Sequence, residues 1–364
     1  MLSRGPCGGL GKAGGQRYEV YMPSLSHKRV SGAGSLRAAV IALFLAGTAC
    51  ASHARTVSAR DPSSPLRLAQ AISLPQIKGR IDHLAIDLEG KRLFVGEVEN
   101  GSTDVIDLAT GKSLARVGGL RDPQGVAWIA STGEFLVACG DGTVHFYSGR
   151  DYRQTAAIDL GSDADDVRTD ARNGHVVVGY GKGALAVIDP ATHRVISRVI
   201  FKGHPEGFAL HGGKAWVNDP DEGAVLAVDL DAGTALASWP TGVHRLNFPM
   251  AENSDGTRIA IAYRLPAALA RIDTTTGKLL SMQDTCGDSD DLFFAGTLTL
   301  VVCGAGHVDV VRGSETEARV ETRGGARTGL YVPELNTLYI ALPSRGGQPA
   351  AIWALRLQES AVER

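Results

Sequence analysis

An all-β fold, a seven-bladed β-propeller, is what this sequence predicts, and three observations predict it. A short polar opening followed by an apolar strand begins at Gly79-Arg-Ile-Asp-His-Leu-Ala-Ile-Asp87 and returns six more times. The central residues of the seven openings, Asp82, Gln124, Asp165, Glu206, Asn247, Asp290 and Thr328, lie 42, 41, 41, 41, 43 and 38 residues apart, and each carries a side-chain oxygen. Further strand-like runs follow each opening, giving the four short strands per unit of a propeller. One blade cannot bury both of its faces alone, so neighbours stacked in a ring supply the core.

Taken in order, the chain begins with a separate region. His27, Lys28, Arg29 and Arg37 precede the apolar stretch Ala38 to Ala49, and residues 1–54 read as a secretory signal. Twelve apolar residues are too few to span a bilayer. Cleavage fits after Ala49-Cys50-Ala51 or after Ser52-His53-Ala54, and a start at Met22 would place the signal next to its initiator. Lipid attachment at Cys50 ranks second, because Gly47-Thr48-Ala49 lacks the leucine usual in that motif. These features predict a periplasmic or secreted protein with no transmembrane segment after signal removal.

Residues 55–66, rich in Pro and Ser, read as a mobile linker. Arg67 to Leu74 reads as a strand without partners in its own unit. Six complete units follow, and the seventh stops after Leu330–Val332, Thr337–Leu342 and Ala351–Leu357. The propeller therefore spans 67–358, with 359–364 as a tail. The seventh blade lacks an outer strand and Arg67–Leu74 is the spare, so pairing it with Ala351–Leu357 would close the ring and hide two sheet edges.

The turns agree with this division. Asp107-Leu-Ala-Thr-Gly111, Asp229-Leu-Asp-Ala-Gly233 and Asp273-Thr-Thr-Thr-Gly277 join third to fourth strands, with Asp to accept from backbone amides and Gly for a positive φ. Asn100-Gly101 and Asp141-Gly142 are hairpin signals. Through this strand, Asp-x-x-Thr-Gly, strand rhythm and through Gly79-Arg-Ile-Asp-His83, residues 67–358 resemble the secreted bacterial propellers with YVTN-type repeats. The resemblance implies the fold and no single activity. The sequence departs from that repeat at Arg312-Gly-Ser-Glu315, where the usual turn is missing.

Composition excludes some functions. Beyond residue 54 the chain holds 31 Lys and Arg against 38 Asp and Glu, a net charge near −7. Nucleic-acid affinity comes from clustered cations, so this balance argues against a nucleic-acid partner. Three cysteines remain there, Cys139, Cys286 and Cys303. Cys286 and Cys303 suit a disulfide in an oxidising compartment, and three buried thiols are the plain alternative.

Chemistry is expected where the openings meet. In a propeller they surround one end of the axis, so Asp82, Gln124, Asp165, Glu206, Asn247, Asp290 and Thr328 should ring a mouth. His83, Asp166, Arg80, His204, Arg245 and Arg327 stand beside them, and Glu97, Asp219 and Arg264 should form an outer rim. Several carboxylates in one mouth repel, by roughly 0.5–2 kcal/mol for a pair about 8 Å apart. Calcium held by Asp165, Glu206, Asn247 and Asp290 would offset that, as would ion pairs to the arginines or simple hydration. Two functions follow. The first is non-catalytic binding of a small molecule or periplasmic protein at the mouth. The second is a calcium-dependent hydrolase resembling secreted lactonases, with His83 or Asp165 moving the proton. No Gly-x-Ser-x-Gly elbow or Cys-x-x-Cys pair occurs, and Gly179 to Gly183 leads into a strand where a nucleotide loop needs a helix.

Overall fold

A computed structural model of the protein describes residues 54–358. The signal region, Cys50 and the tail at 359–364 lie outside the described residues.

Seven sheets are present among the described residues, five of them built wholly from strands adjacent in sequence. The first blade runs outward as Ile81–Asp87, Arg92–Glu97, Ser102–Asp107 and Ser113–Gly118. A cavity of about 430 Å³ is lined by all seven inner strands, through Leu84, Val126, Val167, Phe208, Met250, Leu292 and Leu330 among others. The blades therefore surround one shared axis. The second strands Glu134–Cys139 and Leu298–Cys303 are buried along their whole length, because a neighbouring blade covers each face. Such strands read as continuous apolar runs, without the alternation of a half-exposed sheet. Between blades one and two, Phe94 and Val105 pack with Phe135, Val137 and Tyr147. Each fully buried side chain of this size contributes roughly 1.5–3 kcal/mol.

Two strands far apart in the chain meet in the seventh sheet. Leu66–Leu74 pairs antiparallel with Ala350–Leu357, placing Ile72 opposite Ile352 and Leu66 opposite Leu357. Leu66, Ile72 and Leu74 are all buried there. The stretch read as a mobile linker differs from expectation. Arg55–Ser58 is a strand, parallel to Glu315–Glu321, which makes the sixth sheet five-stranded. Its Pro and Ser residues mark only the turn that follows, where Asp61 accepts from the Ser63 amide at 2.7 Å. Four residues paired at a sheet edge show no period, which is why the sequence did not reveal them.

The Asp-to-Gly turns form as expected. Asp107, Asp229 and Asp273 accept from the amides of Thr110, Ala232 and Thr276 at 2.7, 2.8 and 2.8 Å. Gly111, Gly233 and Gly277 take φ of 67°, 66° and 69°. Blade six keeps four strands of its own, but Gly313 and Ser314 alone join His307–Arg312 to Glu315–Glu321. Cys286 and Cys303 form a disulfide with Cα atoms 5.8 Å apart, and Cys139 is a buried free thiol. No helix among the described residues is long and apolar enough to cross a membrane.

Candidate functional site

The mouth is built by a repeated irregularity. In blades one, two, three, five and six the inner strand carries a register shift near its start. In blade one Ile81 opposes Glu97 and Leu84 opposes Val95, so three residues span what two span on the partner. A bulge of this kind bends the strand and re-aims its side chains. Here it turns Asp82 with His83, Gln124, Asp165 with Asp166, Phe248 and Asp290 toward a second cavity of about 230 Å³. Glycine beside the bulge lets the blades close up. A Cβ on Gly125 would sit 1.9 Å from the Asp165 carbonyl oxygen, and one on Gly207 would sit 2.5 Å from that of Phe248.

The cavity is lined by Arg80, Asp82, His83, Gln124, Asp163, Asp165, Asp166, His204, Glu206, Gly207, Phe248, Arg264, Asp290 and Arg327. Three expected residues lie elsewhere. Asn247 opposes Tyr263 before the bulge, so Phe248 takes the ring position in blade five. Asn247 is fully buried and donates to Asn218 Oδ1 and the Ala224 carbonyl at 3.0 and 2.9 Å, fastening blade five to blade four. Thr328 is buried and donates to the Ile81 carbonyl at 3.1 Å, fastening blade seven to blade one. Arg245 is exposed and reaches the carbonyl of Gly242. The rim also differs. Glu97 and Asp219 are fully buried, whereas Arg264 lines the cavity with its guanidinium 3.9 Å from the Phe248 ring centre. An arginine ending a strand next to a ring of acids was the sequence signal for Arg264.

Most charges in the mouth are neutralised in pairs. Arg80 lies 2.8 Å from Asp82. Asp290 is held by Arg327 at 2.6 Å and by Arg264. Asp166 meets Arg168 at 3.0 Å and His83 at 3.2 Å. Asp291 accepts from the Gly329 amide at 2.8 Å, with His83 Nδ1 at 3.8 Å. His83 lines both cavities and Asp291 lines the larger one, so this cluster plugs the axis between them. Burial alone would lower the His83 pKa, but Asp166, Asp291, Asp82 and Asp165 outweigh it and raise it to about 9. The imidazole is then charged near neutral pH and serves as the plug's cation, which is a poor state for a general base.

Two carboxylates are left over. Asp165 has only His83 nearby, at 3.9 Å, and its Oδ1 is buried without a hydrogen bond. Glu206 has no hydrogen-bond or ion-pair partner for its carboxylate among the described residues. Burial, then Asp165 and Asp166, pushes the Glu206 carboxyl up to about 8. Burial and the Asp82 charge raise Asp165 as well. One side of the mouth thus holds two buried carboxyls that no close cation neutralises.

Of the four residues expected to hold calcium, Asp165, Glu206 and Asp290 line the cavity and Asn247 does not. Asn247 is turned between blades and Asp290 is claimed by two arginines. Among the described residues, the one trio of Cys, His or acidic ligand atoms within 4.8 Å of one another is Cys303, His307 and Asp309. There Cys303 is in the disulfide and Asp309 is 3.2 Å from Arg319. Asp165 and Glu206 remain as the oxygens free to receive a cation.

Comparison with known proteins adds the fold. No family model and no curated protein matches the chain. Among solved structures it is similar to Kuenenia stuttgartiensis hydrazine synthase, with a TM-score of 0.64 and 15% identity over 73% of this chain and 94% of that one. At this identity the likeness concerns architecture alone. Fold and site together define a seven-bladed β-propeller with a polar cavity at one end of its axis.

Proposed function

We propose that this is a secreted, periplasmic propeller that holds a small organic cation in its mouth without transforming it. The reading rests on one observation: Asp165 and Glu206 face the cavity with no ion pair closer than 3.9 Å, while every other buried acid of the mouth has a cationic or amide partner within 3.0 Å. Buried carboxylates without partners are costly, and an ammonium group supplies both charge and N–H donors. The cavity of about 230 Å³ is smaller than the roughly 300–1,000 Å³ of drug-sized sites, which favours a compact ligand. The Phe248 ring offers an apolar wall, with Arg264 on it. The sequence pattern at residues 22–54 supports export.

Calorimetric titration with ethanolamine, choline and spermidine tests this reading. A primary ammonium should bind, and Glu206→Gln should abolish the heat. Absence of binding by every cation would remove the reading. Calcium-dependent opening of a cyclic ester, lost on chelation, would replace it with the hydrolase, which draws on the partnerless Asp165 oxygen.

A further inference from the structure

A second uncompensated charge lies outside the mouth, and it is positive. Arg271, in the third strand of blade five, is only 8% exposed. Its guanidinium donates to the Gly313 carbonyl at 2.6 Å, to Gln283 Oε1 at 3.1 Å and to Thr299 Oγ1 at 2.9 Å. All three acceptors are neutral, and two of its five N–H groups have no protein acceptor. No carboxylate pairs with it among the described residues. Two other arginines that bridge blades show what is missing. Arg92 likewise reaches a glycine carbonyl in the next blade's turn, that of Gly149, but Asp87 lies against it, its Oδ2 at 3.0 Å from Nε. Arg172 joins blades three and four between Asp170 and Asp231, at 2.7 and 2.8 Å. A buried guanidinium is ordinarily paired in this way.

The side chain of Arg271 borders open space. It lines a groove of about 900 Å³ between blades five and six. The groove exists because Gly313 and Ser314 replace the four or five residues that join third to fourth strands elsewhere, as at Asp189 to Arg194. Arg258 lines the same groove and adds a repulsive positive charge that, after burial, helps lower the Arg271 pKa. Phe294 and Leu280 supply apolar wall. Two acids are also present. Asp255 is bound by Thr257 and faces Arg258, and Glu252, at the axial end, is pushed up to about 7 by burial.

We infer that this groove binds an organic oxyanion, a carboxylate or a phosphate monoester, whose charged group sits on Arg271 and Arg258 and whose body lies along Phe294 and Leu280. The counter-charge that Asp87 gives Arg92 comes here from the ligand. This site is independent of the mouth.

Thermal melting of the full chain at fixed ionic strength, with inorganic phosphate or benzoate replacing chloride, tests the inference. Either anion should raise the melting temperature, since a ligand bound only by the folded state stabilises it. Phosphate alone would identify a phosphate site, benzoate alone a carboxylate site. Arg271→Gln should weaken the response by roughly tenfold or more, and Arg258→Ala by less. No shift with either anion, or a full shift in Arg271→Gln, overturns the inference. Should Arg271→Gln fail to fold, phenylglyoxal labelling of the unaltered chain decides. Protection of Arg271 by the anion supports the site, and unchanged labelling overturns it.

Discussion

The mouth and the groove between blades five and six are unbalanced in opposite senses. In the mouth the four acids Asp82, Asp166, Asp290 and Asp291 are neutralised or nearly so, and Asp165 and Glu206 are left. In the groove Arg271 and Arg258 outweigh one charged acid, Asp255, since burial pushes Glu252 up to about 7. The difference lies in origin. The mouth's charge comes from a position repeated around the axis, whereas the groove's comes from one shortened turn. Regular stacking therefore produces one site, and a break in that regularity produces the other.

Substitutions that separate the two regions test the comparison. His83→Gln should have the largest effect, about 3–5 kcal/mol of lost stability in denaturant unfolding, because it leaves buried Asp291 with no ion-pair partner and Asp166 with Arg168 alone. An unfolding midpoint equal to that of the unaltered chain would show that the plug is not held by charge. Asp165→Asn with Glu206→Gln should lower ammonium affinity by about a hundredfold or more while leaving the anion response of the groove intact. Loss of both responses would mean that the two regions are not independent.

Gly125→Ala touches no ligand, yet its Cβ would collide with the Asp165 carbonyl, so cation affinity should fall several-fold with little change in the groove. Arg271→Gln should cost far less stability than His83→Gln, since removing its charge leaves no carboxylate unpaired. A cost as large as that of His83→Gln would imply a hidden counter-charge.

The smallest effects are on pH. Glu206, with a folded pKa of about 8 against an ordinary 4.5, must release a proton to receive a cation. Affinity for a quaternary or primary ammonium should therefore rise between pH 6 and about 8. The same shift gives the folded chain more bound protons than the unfolded one, so stability falls as pH rises across that interval. Glu206→Gln should melt at a higher temperature than the unaltered chain at pH 9 and show little difference at pH 5. The His83 contribution has the same sign. It is fully present below the ordinary 6.5 and lost as pH rises through about 9.

Much of the architecture was legible because it repeats. Seven openings at near-constant spacing, turns with Asp and Gly at fixed offsets, and apolar middle strands each signal one supersecondary unit, and stacking such units leaves little choice of arrangement. Five of the seven ring positions, Asp82, Gln124, Asp165, Glu206 and Asp290, reach the mouth as the alignment implied. The alignment failed at Asn247 because a bulge is a one-residue event. The sequence places an oxygen-bearing side chain at the right distance, and the register then turns it between blades and gives the mouth Phe248.

What the sequence determined by itself is the unit, its number and the chemical character of the ring. Which charges are cancelled depends on the packing of the blades. Arg92, Arg172 and Arg271 are indistinguishable as letters, but two meet carboxylates and one does not. Asp165 and Asp166 are adjacent in the chain, and only the second meets Arg168. The physical reason is range. Strand and turn formation depend on neighbours a few residues away, while the neutralisation of a buried charge depends on a side chain brought within about 4 Å by a different part of the fold.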